Sequence, residues 1–189
     1  MTRRQALLRH AAELFAARGY AATPTAEIAS QAEVAEGTLF HHFKTKDAML
    51  LEILSGVFDR HFQQARSRIE DAPTGLWALE ALVEFHFSFA RDHRDEMLLA
   101  VRDFPYHLVA PGSDGHTELM PKIRRHLGLF VGCLEQGIAD GSIRLVPVAE
   151  TAHLLRSLVI GTTRVTLLGP LDAPDMTRAA VELCRRGLS

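Results

Sequence analysis

The sequence predicts an all-α protein of about nine helices. Apolar residues recur with a period near 3.6 along nearly the whole chain, no stretch alternates convincingly with a period of two, and turn residues separate the periodic segments. The chain has 189 residues, of which 47% are hydrophobic and 23% are charged. This length allows a packed core, and this composition argues against disorder.

The first helix is predicted over about residues 2–18, where Leu8 begins an apolar stripe with helical spacing. Gly19 ends it, as a glycine commonly does after a helix. Thr23 is predicted to cap the second, short helix, with Pro24 as its first residue, because threonine suits the N-cap and proline the position after it.

A break near Glu33 separates the second helix from a short third one, in which Leu39 and Phe43 lie on one face. Thr45 is a plausible N-cap for a long fourth helix over about residues 46–69. Five further helices are predicted, near residues 76–92, 95–108, 117–140, 148–168 and 174–187.

Cysteine content and charge exclude several classes of protein. The two cysteines, Cys133 and Cys184, are too few for a disulfide framework or a cysteine-rich zinc module, and both are predicted to pack in the core. The net charge of −2 excludes a broadly basic nucleic-acid-binding protein. Residues 1–46 nevertheless hold six basic and four acidic groups, so this head is mildly positive.

A helix followed by two short helices with a tight turn between them, all within the first 45 residues, forms the pattern of a helix-turn-helix unit. The second of the two short helices enters the major groove of DNA. The segment from Arg4 to Leu54 closely resembles the N-terminal domain of the tetracycline-repressor (TetR) family. The resemblance rests on Gly19-Tyr20, Thr23, Ile28-Ala29, Gly37-Thr38-Leu39-Phe40, His42-Phe43 and Lys46.

This resemblance implies a DNA-binding domain over residues 1–46 and an effector-binding and dimerisation domain over residues 47–189. The implied partners are double-stranded operator DNA, a small-molecule effector and a second copy of the chain. No cofactor, metal, membrane partner or catalytic residue is expected. The first residues lack a signal peptide's apolar run and no stretch is apolar enough to span a bilayer, so a cytoplasmic protein is predicted.

Eight residues are candidates for contact with DNA. Seven of them lie in the first turn of the second helix, in the first turn or on the open side of the third, or at the start of the fourth, where free N–H groups or exposed side chains reach phosphates and base edges. The eighth, His42, is included because the resemblance aligns it with a family position that commonly contacts phosphate. They are Thr25, Glu36, Gly37, Thr38, Phe40, His41, His42 and Lys46.

Three residues depart from the family pattern. Glu33 stands where glycine is usual, and a positive φ there costs on the order of 1 kcal/mol. Ala35 stands where a serine often caps the recognition helix, which forfeits up to about 1 kcal/mol. Phe40 replaces a tyrosine and lacks its hydroxyl group.

The body is predicted to bind a lipophilic or aromatic effector among aromatic residues, with ordinary core packing as the alternative for each. The candidates are Phe62, Trp77, Phe85, Phe89, Phe104, Tyr106 and His107, and candidate polar anchors include His86, Arg91 and Arg102. The penultimate helix is apolar on more than one face, which favours a dimer interface over ordinary monomer core.

The sequence therefore predicts a ligand-responsive, homodimeric transcriptional repressor that is not an enzyme. Two alternatives stay open. One is a small-molecule sensor or carrier whose head contacts protein, and the other is a small helical enzyme that uses the aromatic cavity.

Overall fold

The computed structural model describes residues 2–169 and 175–189, and within them the chain forms nine α-helices and no β-strand. The all-α prediction is confirmed. The helices are α1 (Arg3–Arg18), α2 (Thr25–Gln31), α3 (Glu36–His42), α4 (Lys46–Ile69), α5 (Gly75–Asp92), α6 (Arg94–Val101), α7 (Asp114–Asp140), α8 (Val148–Leu168) and α9 (Thr177–Leu188).

Several predicted helix ends are confirmed by their capping interactions. Gly19 follows α1 with a φ of 91°, and its N–H donates to Phe15 O at 2.8 Å. Thr45 Oγ1 accepts a hydrogen bond from Ala48 N at 3.0 Å, so Thr45 caps α4 as predicted.

Two predicted boundaries are wrong. Pro24, not Thr23, is the N-cap residue of α2, and the Thr23 hydroxyl instead donates to Gly19 O at 2.9 Å. The helix predicted over residues 95–108 ends at Val101, because Phe104 precedes Pro105 and a residue before proline disfavours the helical conformation. The predicted start of the last helix, residue 174, lies outside the described residues.

The chain divides into two compact units, and the first comprises Met1–Val57 and His93–Met120. In this unit α1 packs against α2, α3 and α6. Its core is formed by side chains from these helices and the first half of α4, including Leu7, Phe15, Ile28, Leu39 and Leu50. This core holds the two short helices, which are too brief to be stable without tertiary packing.

The second unit comprises Phe58–Asp92 and Pro121–Ser189. A Cβ atom on Gly75 would lie 2.0 Å from Gly137 N, so α5 begins where only glycine allows it to approach α7. Asp140 then accepts a hydrogen bond from Gly75 N at 2.7 Å, and Ser142 Oγ accepts one from Leu76 N at 3.1 Å. The turn after α7 therefore caps α5.

Both cysteines are buried, unbonded thiols in this second unit, as predicted. Burial raises the pKa of Cys133 to about 12 and that of Cys184 to about 11, so both stay protonated at neutral pH. Among the described residues, no helix combines the length and the hydropathy needed to cross a membrane.

Candidate functional site

The turn between α2 and α3 directs the chain into the third helix. Glu33 adopts a φ of 54°, the strained geometry that the sequence analysis considered. Its N–H donates to Ser30 O at 3.1 Å, and Val34 N donates to Ala29 O at 3.0 Å. These two bonds form a Schellman motif with glutamate where glycine is preferred. Ala35 follows as the N-cap of α3 and provides no side-chain cap, as predicted.

Helix α3 has a buried side and an exposed side. Leu39 is fully buried, and Phe43 lies in the core directly after the helix. Gly37, Phe40 and His41 are exposed, and a Cβ atom on Gly37 would meet no other atom within 4 Å. The predicted division of the helix into these two faces is confirmed, and the exposed face can approach a large partner without obstruction.

The remaining α3 candidates, Thr38 and His42, are half-buried. The His42 ring contacts Phe43 with centroids 6.3 Å apart and His41 with centroids 5.6 Å apart. His42 therefore lies at the edge between the core and the exposed face, where its imidazole is both packed and accessible.

Thr25 and Glu36 are joined by a hydrogen bond that the sequence did not reveal. The Thr25 hydroxyl donates to Glu36 Oε1 at 2.8 Å, so the first turns of α2 and α3 are connected. Together with Lys46, these residues line one open surface depression. Three of the eight candidate DNA contacts thus converge at one place.

Lys46 is tied to the loop before α2. Its ammonium group donates to Tyr20 O at 2.8 Å and to Thr23 O at 3.0 Å, and it lies 4.5 Å from the centroid of the Tyr20 ring. The Tyr20 hydroxyl in turn donates to Asp47. Burial, together with this carboxylate, raises the pKa of Tyr20. Lys46 therefore orders a loop as well as bringing a positive charge to the head.

Arg102 has a different environment from the one predicted. Its guanidinium group donates to Phe15 O at 2.6 Å and to Ala16 O at 2.9 Å, where α1 ends. A cation at a helix C-terminus satisfies free carbonyl groups and complements the helix dipole. Arg102 is thus a capping residue of α1 in the first unit, and it also donates to the carboxylate of Asp103 at 2.7 Å.

A cluster of three histidines lies in the second unit. His61 Nε2 and His86 Nδ1 are 3.2 Å apart, and His86 Nε2 is 3.1 Å from Thr163 Oγ1. His126 stacks obliquely on His61 with ring centroids 4.9 Å apart. The sequence analysis named only His86 here, because these residues come from four different helices and meet only through tertiary packing.

Burial is the main cause of a lowered pKa at all three histidines. It brings the pKa of His86 to about 4 and that of His61 well below its usual range. At His126 the charges of Arg125 and Arg156 act in the same direction as burial. The cluster is therefore electrically neutral at pH 7.

Comparison with known proteins identifies the helix-turn-helix arrangement. Residues 7–53 match the family described as "Bacterial regulatory proteins, tetR family". The repressor KstR2 of Rhodococcus jostii is 37% identical over 142 residues, which cover 75% of this chain and 68% of that protein. KstR2 of Mycolicibacterium smegmatis is 34% identical over 193 residues, covering 100% of this chain and 91% of that protein.

A solved structure has the same fold across the whole chain. The ketosteroid transcriptional regulator KstR2 of Mycobacterium tuberculosis matches with a TM-score of 0.81 and 26% identity, covering 100% of this chain and 95% of that one. The chain belongs to the TetR family. It is accordingly a helix-turn-helix transcriptional regulator and not an enzyme, which confirms both predictions.

The aromatic residues predicted to bind an effector are divided between the two units of this TetR-family chain. Phe104, Tyr106 and His107 belong to the first unit, and the other four belong to the second. Trp77 and Tyr106 are exposed, with 48% and 79% of their surface accessible. Phe85 and Phe89 are buried against His61, with ring centroids 5.1 Å and 4.9 Å away, and Phe62 lies under the Arg125 guanidinium group.

The last two helices expose apolar side chains. On α8, Leu154 is 71% exposed and Val165 is 53% exposed, and on α9 Leu183 is 60% exposed. Gly161 lies between the two α8 residues with no atom within 4 Å of its Cβ position. The opposite face of α9 is buried, so the fold of the single chain already uses one apolar side of this helix and leaves another exposed.

Proposed function

We propose that this TetR-family protein is a homodimeric repressor that binds a near-palindromic operator and is released by a small-molecule effector. The observation that carries this proposal is the unobstructed face of α3, held outward by the buried Leu39. Two such helices, one from each protomer, would read major-groove sites about 34 Å apart. The identity with two KstR2 repressors supports repression as the mode of regulation.

We assign operator contact to residues 1–46 and effector binding and dimerisation to residues 47–189. Thr25, His42 and Lys46 would contact phosphates. The exposed side of α3 would contact base edges through Glu36, Gly37, Thr38, Phe40 and His41. Because bacterial DNA is cytoplasmic, we place the protein in the cytoplasm.

We assign effector binding to an apolar site in the body with few polar groups, as is usual for ligand sites. The buried Phe85 and Phe89 are the strongest of the predicted aromatic candidates, because both contact the polar histidine cluster. A lipophilic or aromatic effector fits these surroundings. The coupling required is modest, because a 1–3 kcal/mol preference for the released state lowers operator affinity by about 5- to 150-fold.

We assign dimerisation to the exposed apolar side chains of α8 and α9. Leu154, Gly161 and Val165 follow the spacing of one helix face, and the glycine permits close approach of a second helix. A contiguous exposed apolar face of this kind is costly for a monomer in water.

The proposal is tested by DNA binding with a matched pair of variants. Fluorescence anisotropy would measure affinity for an inverted repeat found beside the coding region, against a scrambled duplex of equal length. The double variant Leu154→Asp/Val165→Asp should be monomeric by light scattering. It should bind the repeat at least about a hundredfold more weakly, because one head can no longer assist the other.

Leu145→Asp is the control, since Leu145 is 84% exposed but lies outside α8 and α9. It should keep the dimer and the affinity. A dimeric double variant would reject the interface. Equal binding of the repeat and the scrambled duplex by the wild-type protein would favour a sensor whose head contacts protein.

A further inference from the structure

Within residues 2–169 and 175–189, two ring nitrogens in the histidine cluster are buried without a hydrogen-bond partner. They are Nδ1 of His61 and Nε2 of His126. Buried polar atoms are nearly always paired, and an unpaired one destabilises the fold. The two rings are in contact, with centroids 4.9 Å apart, and apolar rings surround them. The question is therefore which group forms hydrogen bonds with these two nitrogen atoms.

The hydrogen position on His126 follows from its partner. His126 Nδ1 lies 2.8 Å from Lys122 O, and a carbonyl oxygen can only accept a hydrogen bond. Nδ1 therefore carries the hydrogen in the neutral ring. The buried Nε2 is then an unprotonated acceptor that requires a donor.

The chain from His61 through His86 to Thr163 can be ordered in two directions. If the Thr163 hydroxyl donates to His86 Nε2, then His86 Nδ1–H donates to His61 Nε2, and His61 Nδ1 bears a hydrogen. If His86 donates to Thr163, every bond reverses and His61 Nδ1 becomes an acceptor. The first order makes His61 Nδ1 a donor, which complements the acceptor Nε2 of His126 on the neighbouring ring, whose centroid is 4.9 Å away.

We propose that His61 Nδ1 and His126 Nε2 bind the hydroxyl group of an otherwise apolar effector. The hydroxyl donates to His126 Nε2 and accepts from His61 Nδ1–H, so one group satisfies both buried atoms. This inference rests on the proposed effector-binding role of the body and specifies the chemistry of its ligand.

Other polar groups fit these two atoms less well. A carbonyl oxygen accepts only and would leave His126 Nε2 unpaired. A carboxylate would require a protonated imidazole, whereas burial keeps the cluster neutral. A metal ion is not favoured either, because the described part of the chain contains no group of three side chains arranged to hold one.

A pocket whose lining is otherwise polar borders two of the aromatic rings that pack against the cluster. It has a volume of about 270 Å³ between α4 and α5, and its lining includes Phe85 and Phe89. The same two rings pack against His61. Phe85 and Phe89 therefore lie between the pocket and His61, and a ligand that enters from the pocket would have to displace these two rings.

The test is a titration of the full-length protein, labelled with ¹⁵N at histidine, with four small probes. Cyclohexanol, cyclohexanone, methylcyclohexane and cyclohexanecarboxylate differ only in the group attached to a six-membered ring. Cyclohexanol should move the unprotonated His126 Nε2 resonance. It should bind about tenfold more tightly than methylcyclohexane, the value expected for two modest net hydrogen bonds.

The variant His126→Phe keeps an aromatic ring and removes the acceptor. It should reduce the cyclohexanol preference to about one while leaving the affinity for methylcyclohexane unchanged. The variant also removes the hydrogen bond from His126 Nδ1 to Lys122 O, so a purely structural histidine would instead lower the affinity for both probes equally. His61→Phe should also abolish the preference, whereas His153→Phe, a change at an exposed histidine, should leave it intact.

Equal affinity for cyclohexanol and methylcyclohexane would overturn the proposal. So would tightest binding of the carboxylate or the ketone, or the absence of any shift with all four probes. None of these measurements involves DNA. A protein that binds cyclohexanol as expected but no operator would retain this site while losing the proposed regulatory function.

Discussion

The two units of the molecule differ in how their polar side chains are hydrogen-bonded. In the first unit, the half-buried Thr25 and Lys46 already have partners, since Thr25 donates to Glu36 and Lys46 donates to backbone carbonyls. In the second, His61 and His126 each bury an unpaired nitrogen. Partly accessible pairs can exchange partners with DNA at little cost. Buried unpaired atoms instead reduce stability until a ligand satisfies them.

Of the changes that test this difference between the two units, lowering the pH should have the largest effect on stability. His86 has a pKa of about 4 in the folded protein, whereas an unfolded histidine titrates near 6.5. The unfolded chain therefore binds more protons below pH 6.5. The free energy of unfolding should fall as the pH drops from about 6.5 to about 4, with a loss of about 3 kcal/mol from His86 alone.

Urea unfolding at a series of pH values between 7.5 and 4.5 would measure this loss. His61 and His126 should add to it, because burial lowers the pKa of both. His86→Phe should flatten the pH dependence relative to the wild-type protein. A constant unfolding free energy across this window would mean that the cluster is solvated, and the contrast between the two units would disappear.

The sequence predicted the first unit better than the second, for a physical reason. The faces of α3 follow from local periodicity, so Leu39 inside and Phe40 outside could be read from neighbouring residues. The histidine cluster could not, since His61, His86 and His126 lie on three helices and meet only after packing. Their separation along the chain carries no signal of contact.

Two other differences between the predictions and the structure have separate causes. The predicted extension of α6 ignored Pro105, which excludes the preceding residue from a helix. The role of Arg102 depended on a long-range contact with the C-terminus of α1, which no pattern near Arg102 reveals. The end of α6 could have been predicted from the sequence, whereas the role of Arg102 could not.

Lys46→Ala should show that the Lys46 ammonium group already stabilises the first unit through hydrogen bonds. The substitution removes the ammonium group that bonds to Tyr20 O and Thr23 O, so the free energy of unfolding should fall by about 2 kcal/mol. Lys44→Ala, a change at an exposed lysine nearby, should have little effect. If Lys46 also contacts phosphate, the salt dependence of DNA binding should fall by about one unit, equally for all sequences.

Salt titrations of operator and non-operator DNA separate these roles. A large loss of stability with an unchanged salt slope would make Lys46 a loop-ordering residue alone. A loss confined to the operator would also remove it from the phosphate contacts, because phosphates carry no base information.

Glu36→Gln tests whether Glu36 exchanges its hydrogen bond with Thr25 for one with a DNA base when the protein binds its operator. A carboxylate can accept from a cytosine amino group, and such a contact contributes about 1–3 kcal/mol of discrimination. The variant should relax preference about tenfold at one symmetric pair of operator positions and strengthen non-specific binding. Measured binding to all single-base operator variants would reveal the positions. Unchanged preference throughout would leave Glu36 with only its bond to Thr25 and a favourable helix-dipole interaction.

Glu33→Gly should have the smallest effect and the opposite sign, because it relieves strain in the first unit. Glu33 adopts a φ of 54°, a conformation that costs an L-residue on the order of 1–2 kcal/mol and costs glycine little. The backbone bonds of the turn involve N–H and carbonyl groups, so the substitution can preserve them. Part of the gain is offset by the greater freedom of glycine in the unfolded chain, and we expect a net increase of about 1 kcal/mol in the free energy of unfolding.

Urea unfolding measures this increase, with Glu33→Gln as the control that removes the same charge but keeps a side chain of the same length. Equal stabilisation by both variants would assign the effect to charge, whereas stabilisation by glycine alone assigns it to the backbone of the turn before α3.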